Sequence, residues 1–355
     1  MTTLLSHKPT WTGLGEGILI LAVLWWAWAS YAWLTNTADL SAGIVLTAVL
    51  VAMAAMFVAG LALPQAFVSH GVLFGVAFLV VSVTLVMLYA ATARSDPALF
   101  GAVLRTVPWV LGGATLILVA GFVDEPWRVA LWIAALVFGF VLPGLADVGG
   151  WRVRPGHFVE RHGLIVLIAI GESLVAIGLG TRGIALGAGE ITGAVLGLLV
   201  ATSLWLAYFD FFQVRGRQLL AGRTGRERVA IARDIYTYFH LPMVVGIILF
   251  AFGVKVTLTQ LSGRLGAVEA VALCGGPALY LLAYVGLRYR LTRTLGRGRW
   301  IAAVACALLI PVALYVPALV SLALVAAVWV ALHAYELIWY RTERAEAQRQ
   351  RFALS

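Results

Sequence analysis

Apolar residues fill this chain in long blocks, and the polar ones gather in short clusters between them. Blocks of roughly 18 to 25 apolar residues, the length that crosses a bilayer core, recur almost without a break. The pattern predicts eleven spans, near residues 13–34, 41–63, 68–90, 99–122, 127–148, 158–180, 188–212, 235–256, 267–288, 299–316 and 318–339. A helix satisfies its own backbone hydrogen bonds in lipid, so the expected fold class is all-α, a polytopic transmembrane helical bundle. The longest connection runs only from Val214 to Asp234, and its tail from Glu227 could form a short amphipathic surface helix. The chain therefore reads as a single integral membrane domain over 1–355, closed by a tail at 340–355.

Composition agrees: 62% of residues are hydrophobic, 12% are charged, and the mean hydropathy is +0.98. Those values exclude an ordinary soluble domain of 355 residues. The opening MTTLLSHKPTWTGLGEG has no secretory-signal pattern, so no cleavage is expected. Cys274 and Cys306 fall inside predicted spans and form no metal-binding pair; they read as small buried hydrophobes. No cofactor is implied.

The net charge of +9 does not point to nucleic acid, because the basic residues sit in the short connections. One set of connections and the tail hold Arg94, Arg152, Arg154, Arg161, six arginines from Arg215 to Arg233, five from Arg288 to Arg299 and four from Arg341 to Arg351. The opposite set holds only Lys8, Arg128, Arg182, Lys255 and Arg264. By the positive-inside rule this is a multi-pass plasma-membrane protein with a cytoplasmic C-terminus, and its partner is the lipid bilayer. The sequence carries no signal for an oligomeric state.

An internal echo appears at an offset of six spans. The first span ends on Trp25-Trp26-Ala-Trp28-Ala-Ser-Tyr31-Ala-Trp33 and the seventh on Trp205-Leu-Ala-Tyr208-Phe209-Asp210-Phe211-Phe212. The second carries Met56-Phe57-Val-Ala-Gly60 and the eighth Leu249-Phe250-Ala-Phe-Gly253 in corresponding places. An even offset lets both copies face the same way, so eleven spans read as the remnant of a 6+6 repeat lacking one helix.

The most informative segment is His157-Phe-Val-Glu160-Arg161-His162-Gly163-Leu-Ile-Val-Leu-Ile-Ala-Ile-Gly171-Glu172-Ser173, which runs from a charged cluster into an apolar helix. Glu172 lies roughly 16 Å along the axis from Arg161, near the bilayer's middle, where an ionised carboxylate costs at least a few kcal/mol unless paired, protonated or wet. Positions 161, 165, 168 and 172 share one helical stripe, which predicts a polar lane from Arg161 to Glu172, with Ser173 beside it. His157, Glu160 and His162 do not converge as metal ligands, and Glu160 reads better as holding an arginine at the helix mouth. Four further candidates join them. His240 precedes Pro242 at a helix start, and Asp210 follows the aromatic end of the seventh span, where it can pair with Arg215 or another basic residue. Glu269 lies near one end of the ninth span, and Arg105, inside the fourth, can neutralise a carboxylate such as Glu172 or Glu269. Glu16, Asp147, His333 and Glu336 sit near span ends, where snorkelling accounts for them. Pro108, Pro143, Pro242, Pro277 and Pro311 predict kinks in five spans.

The 157–173 block resembles the signature of the bacterial low temperature requirement A family. So do Trp25-Trp26-Ala-Trp28 with Tyr31 and Asn36, Tyr208-Phe209-Asp210, and Tyr238-Phe-His240-Leu-Pro242-Met-Val-Val-Gly246. The resemblance implies a multi-pass membrane protein and assigns no chemistry. Members of that family usually open on Glu-Leu-Phe-Phe-Asp-Leu-Val-Phe-Val, which is not found here; such a helix would restore twelve spans. On that comparison the chain reads as a truncated or divergent member, with the partner of Glu172 on the missing helix.

Three functions fit. The first is a secondary transporter or channel-like protein for protons or a small solute, using Glu172 with Arg161, Asp210 and His240. The second is a non-catalytic membrane component supporting the envelope in the cold. The third, a membrane-embedded lipid-modifying enzyme using His157, Glu160 or His240, is the weakest: no nucleophile elbow or paired aspartates are present, so the chain leans away from being an enzyme.

Overall fold

The computed structural model describes residues 2–37, 43–183, 185–210 and 212–339, and every regular element among them is a helix. In chain order these are α1 (Thr2–His7), α2 (Trp11–Thr37), α3 (Gly43–Ala62), α4 (Gly71–Thr92), α5 (Pro97–Ala120), α6 (Trp127–Leu145), α7 (Pro155–Gly180) and α8 (Ala188–Phe209). They continue as α9 (Phe212–Ala221), α10 (Gly225–Thr259), α11 (Ala267–Thr292), α12 (Gly298–Ala313) and α13 (Ala318–Trp339). Among the described residues, 10 helices are long and apolar enough to cross a membrane, and α12 is apolar but has only 16 residues. The architecture is the all-α polytopic bundle that the hydropathy pattern predicts. The tail at 340–355 lies outside the described residues.

The basic stretch after α8 differs from expectation. Its short helix is α9, while Gly225 opens a continuous 35-residue helix instead of a surface segment starting at Glu227. The reason is spacing: Val229, Ala232, Ile235 and Tyr236 recur at helical intervals and are buried, while Arg226 and Glu227 stay outside.

Three of the five prolines coincide with a widened turn. A π-turn at Val137–Val141 precedes Pro143, one at Arg233–Phe239 precedes Pro242, and one at Val271–Gly275 precedes Pro277. Proline lacks an N–H and crowds the carbonyl four residues back, and one extra residue in the turn relieves both problems. Pro108 and Pro311, in contrast, lie within uninterrupted α-helix.

The chain packs as two compact units, residues 12–158 with 224–230, and residues 2–11 with 159–223 and 231 onward. Five spans, α2–α6, belong to the first and six, α7, α8 and α10–α13, to the second. In the first unit α3 shows how the sides of a span differ. Leu46, Leu50, Met53, Phe57 and Leu61 form an exposed stripe of large apolar side chains, while Ala52 and Ala59 are buried. Small residues toward protein and large ones outward is the arrangement of a lipid-facing helix. The same unit holds a recess lined by Trp26, Phe78, Trp109, Gly113, Gly139, Phe140 and other apolar residues, with no ionisable side chain.

In the second unit α10 and α11 touch main chain to main chain. A Cβ on Gly246 would stand 2.5 Å from the Gly276 carbonyl oxygen, one on Gly276 would stand 2.6 Å from that of Gly246, and one on Gly253 would stand 2.6 Å from the Leu273 Cα. Only glycine fits at these positions.

Candidate functional site

The second unit carries polar groups at two levels. α7 runs parallel to the second half of α10, since the His162 ring lies 5.5 Å from that of His240, just past the π-turn, and farther along a Cβ on Gly180 would stand 3.0 Å from the Lys255 carbonyl oxygen.

At the first level, His240 is fully buried beside the π-turn that opens the straight part of α10. Its Nδ1 lies 2.9 Å from the Ile235 carbonyl oxygen and its Nε2 2.9 Å from the Tyr208 hydroxyl. A carbonyl can only accept, so in the neutral ring Nδ1 holds the proton and Nε2 accepts from Tyr208. The rings of His162 and Tyr236 pack against each other at 4.9 Å, and Phe212 lies 5.2 Å from Tyr208.

The same level holds a buried ion pair. Arg299 Nε donates to Glu336 Oε1 at 2.6 Å and Nη2 to Oε2 at 3.3 Å, a two-point contact. Nη1 donates to the Ala207 carbonyl at 3.1 Å, in the last turn of α8, where carbonyls lack helical partners. The guanidinium carbon sits 3.7 Å from the centre of the Tyr284 ring. Both charged residues are only 8% exposed. Glu336 is therefore no snorkelling residue, and Arg299 no loop charge: the two-point contact, the carbonyl and the aromatic face offset the cost of taking both charges out of water. At the edge of this level Arg290 Nε pairs with Asp234 at 2.8 Å.

The second level is built around Glu172, which is half-buried. The Thr2 hydroxyl donates to its Oε1, Ser6 Oγ donates to the Thr2 carbonyl at 2.7 Å, and Lys255 Nζ donates to Ser6 Oγ at 2.9 Å. Glu172 makes no ion pair among the described residues; its ammonium counterpart stands two hydroxyl-bearing residues away. The adjoining Ser173 is fully buried, and its Oγ meets no hydrogen-bond partner among the described residues. A Cβ added at Gly171 or Gly178 would meet nothing within 4 Å, so α7 is open on that side.

The family model for the bacterial low temperature requirement A protein (LtrA) matches residues 1–334. The chain belongs to that family. An uncharacterised protein of Rhizobium meliloti (strain 1021) is 31% identical to this LtrA chain over 292 residues, 79% of the chain and 70% of the relative. No solved structure matches. LtrA membership and the run of apolar helices make it a multi-pass integral membrane protein.

The structure sorts the LtrA signature by helical face. The buried stripe of α7 is His162, Val166, Ala169 and Ser173, one residue round from the stripe drawn through Arg161 and Glu172, on which Ile168 is 68% exposed. Arg161 and Glu172 flank the buried face, and His157 and Glu160 are exposed. Asp210 caps the end of α8, half-buried, while the side chain of its expected partner Arg215 lies outside the described residues. Glu269 stands in the first turn of α11. Arg105, in the first unit, is exposed and donates to the Gly149 carbonyl at 2.7 Å. Buried Asn36 clamps the segment before α7, donating to the Arg152 carbonyl and accepting from the Arg154 N–H. Sequence reasoning missed Thr2, Lys255, Arg299 and Glu336 as site residues; the only signal was the polar type of each at a span end.

Proposed function

We propose that this LtrA protein is a secondary transporter or channel-like protein that moves protons or a small solute across the plasma membrane, with Glu172 as the exchanging carboxylate. The observation that carries this reading is the pairing of Glu172. A carboxylate inside a span that bonds a neutral hydroxyl, and meets no cation directly, is free to exchange a proton or cation at little structural cost. Ser173, whose Oγ meets no hydrogen-bond partner among the described residues, supplies a second polar group beside it. Half-buried Arg161 and Asp210 line the approach, with buried His240 as a support behind it, and the arginine bias assigns this side to the cytoplasm together with the C-terminus.

The test is dissipation of an imposed pH gradient in proteoliposomes carrying a trapped pH dye. Glu172→Gln keeps the shape and loses the exchangeable charge, so flux should fall at least tenfold. Flux equal to the parent's in folded mutant protein removes Glu172 from the mechanism. The competing reading, a non-catalytic envelope component, draws support from the satisfied network around Arg299 and His240. It expects growth in the cold to be indifferent to Glu172→Gln.

A further inference from the structure

The connection between α11 and α12 is a strongly basic turn with an ordered geometry. Arg293 ends α11 in the left-handed region at φ 56°, and Gly296 follows at φ 69°. Three contacts close a ring around Arg288: its Nε donates to Thr294 Oγ1 at 3.4 Å, the Thr294 and Thr292 hydroxyls meet at 2.8 Å, and Thr292 Oγ1 donates back to the Arg288 carbonyl at 2.9 Å. The Arg288 guanidinium lies over Gly296, where a Cβ would stand 3.1 Å from it.

Two of the turn's five arginines are neutralised, Arg290 by Asp234 and Arg299 by Glu336. Arg288, Arg293 and Arg297 meet no carboxylate among the described residues; Arg293 lies over the Tyr289 ring. Exposed Tyr289, Leu295 and Trp300 flank them, the amphipathic and apolar types that settle at the headgroup level of a span end. Three guanidinium groups that meet no carboxylate among the described residues, on a turn closed by the threonine ring and flanked in sequence by interfacial side chains, match a phosphate on an acyl-bearing molecule.

We infer that the Arg288–Trp300 turn is a binding site for the phosphate headgroup of an anionic phospholipid, with Arg288, Arg293 and Arg297 as its ligands. The turn is preorganised by the threonine ring, so the lipid does not have to order it.

The test is native mass spectrometry of the full chain in detergent, titrated with phosphatidylglycerol, with phosphatidylcholine and with inorganic phosphate. Near an anionic surface each basic residue is worth about fivefold in affinity, so Arg288→Gln/Arg293→Gln/Arg297→Gln should weaken phosphatidylglycerol binding by on the order of a hundredfold. Phosphatidylcholine retention should be unchanged. The inference fails if the triple variant binds phosphatidylglycerol like the parent, or if Arg217→Gln/Arg223→Gln/Arg228→Gln lowers binding as much. It fails too if inorganic phosphate displaces phosphatidylglycerol at equal concentration, which marks a soluble-anion site. Should the triple variant not fold, Thr292→Val/Thr294→Val decides: severalfold weaker phosphatidylglycerol binding is expected, and parental binding overturns the site.

Discussion

Glu336 and Glu172 are both carboxylates carried on membrane-spanning helices of the same unit, and their surroundings are opposite. Glu336 meets a guanidinium at two points, and that guanidinium is itself held by a carbonyl and an aromatic face. Glu172 meets one hydroxyl, with its ammonium counterpart at the far end of a chain of hydrogen bonds. Burial alone does not mark a working charge. A fully met carboxylate holds helices together, and a lightly held one can change state without unfolding anything.

That contrast is open to direct attack, beginning where the effect should be largest. Removing one partner of the buried pair, as in Arg299→Met or Glu336→Leu, strands the other charge and should cost about 3–5 kcal/mol, read as a clear fall in thermal unfolding temperature in detergent. The double variant should regain much of that loss; if it is no better than the singles, the two residues are not acting as a pair.

His240→Ala leaves the Tyr208 hydroxyl and the Ile235 carbonyl without their partner in a dry site, which should cost on the order of 2–3 kcal/mol by the same measurement. Glu172→Gln, which can still accept from Thr2, should shift stability by less than about 1 kcal/mol while lowering the proposed flux at least tenfold. A large loss of stability there would place Glu172 in the same structural class as Glu336. Thr2→Val should cost about 0.5–1.5 kcal/mol, and Thr2→Ser, the smallest change of all, almost nothing, because serine keeps the hydroxyl.

How far the chain could be read without coordinates follows from the range of each interaction. The spans are legible because hydropathy is a one-dimensional property, and the start of α10 is not, because its first turns mix arginines with a buried stripe. Prolines flagged three irregular turns correctly and two helices that stay regular, since neighbouring packing decides whether the strain is relieved by widening. Glu172 was conspicuous from depth alone. Its partner Thr2 was not, being 170 positions away with no periodic signal, and the same holds for Arg299 and Glu336, 37 positions apart. The orientation of α7 was off by one residue, a rotation of about 100°, which moved His162 and Ser173 onto the buried face.

The glycine contact between α10 and α11 also sets a mechanical limit. With Gly246 and Gly276 each against the other's carbonyl, one helix cannot slide along or roll over the other without steric collision. The pair behaves as one stiff strut, with its two π-turns as the places that can yield.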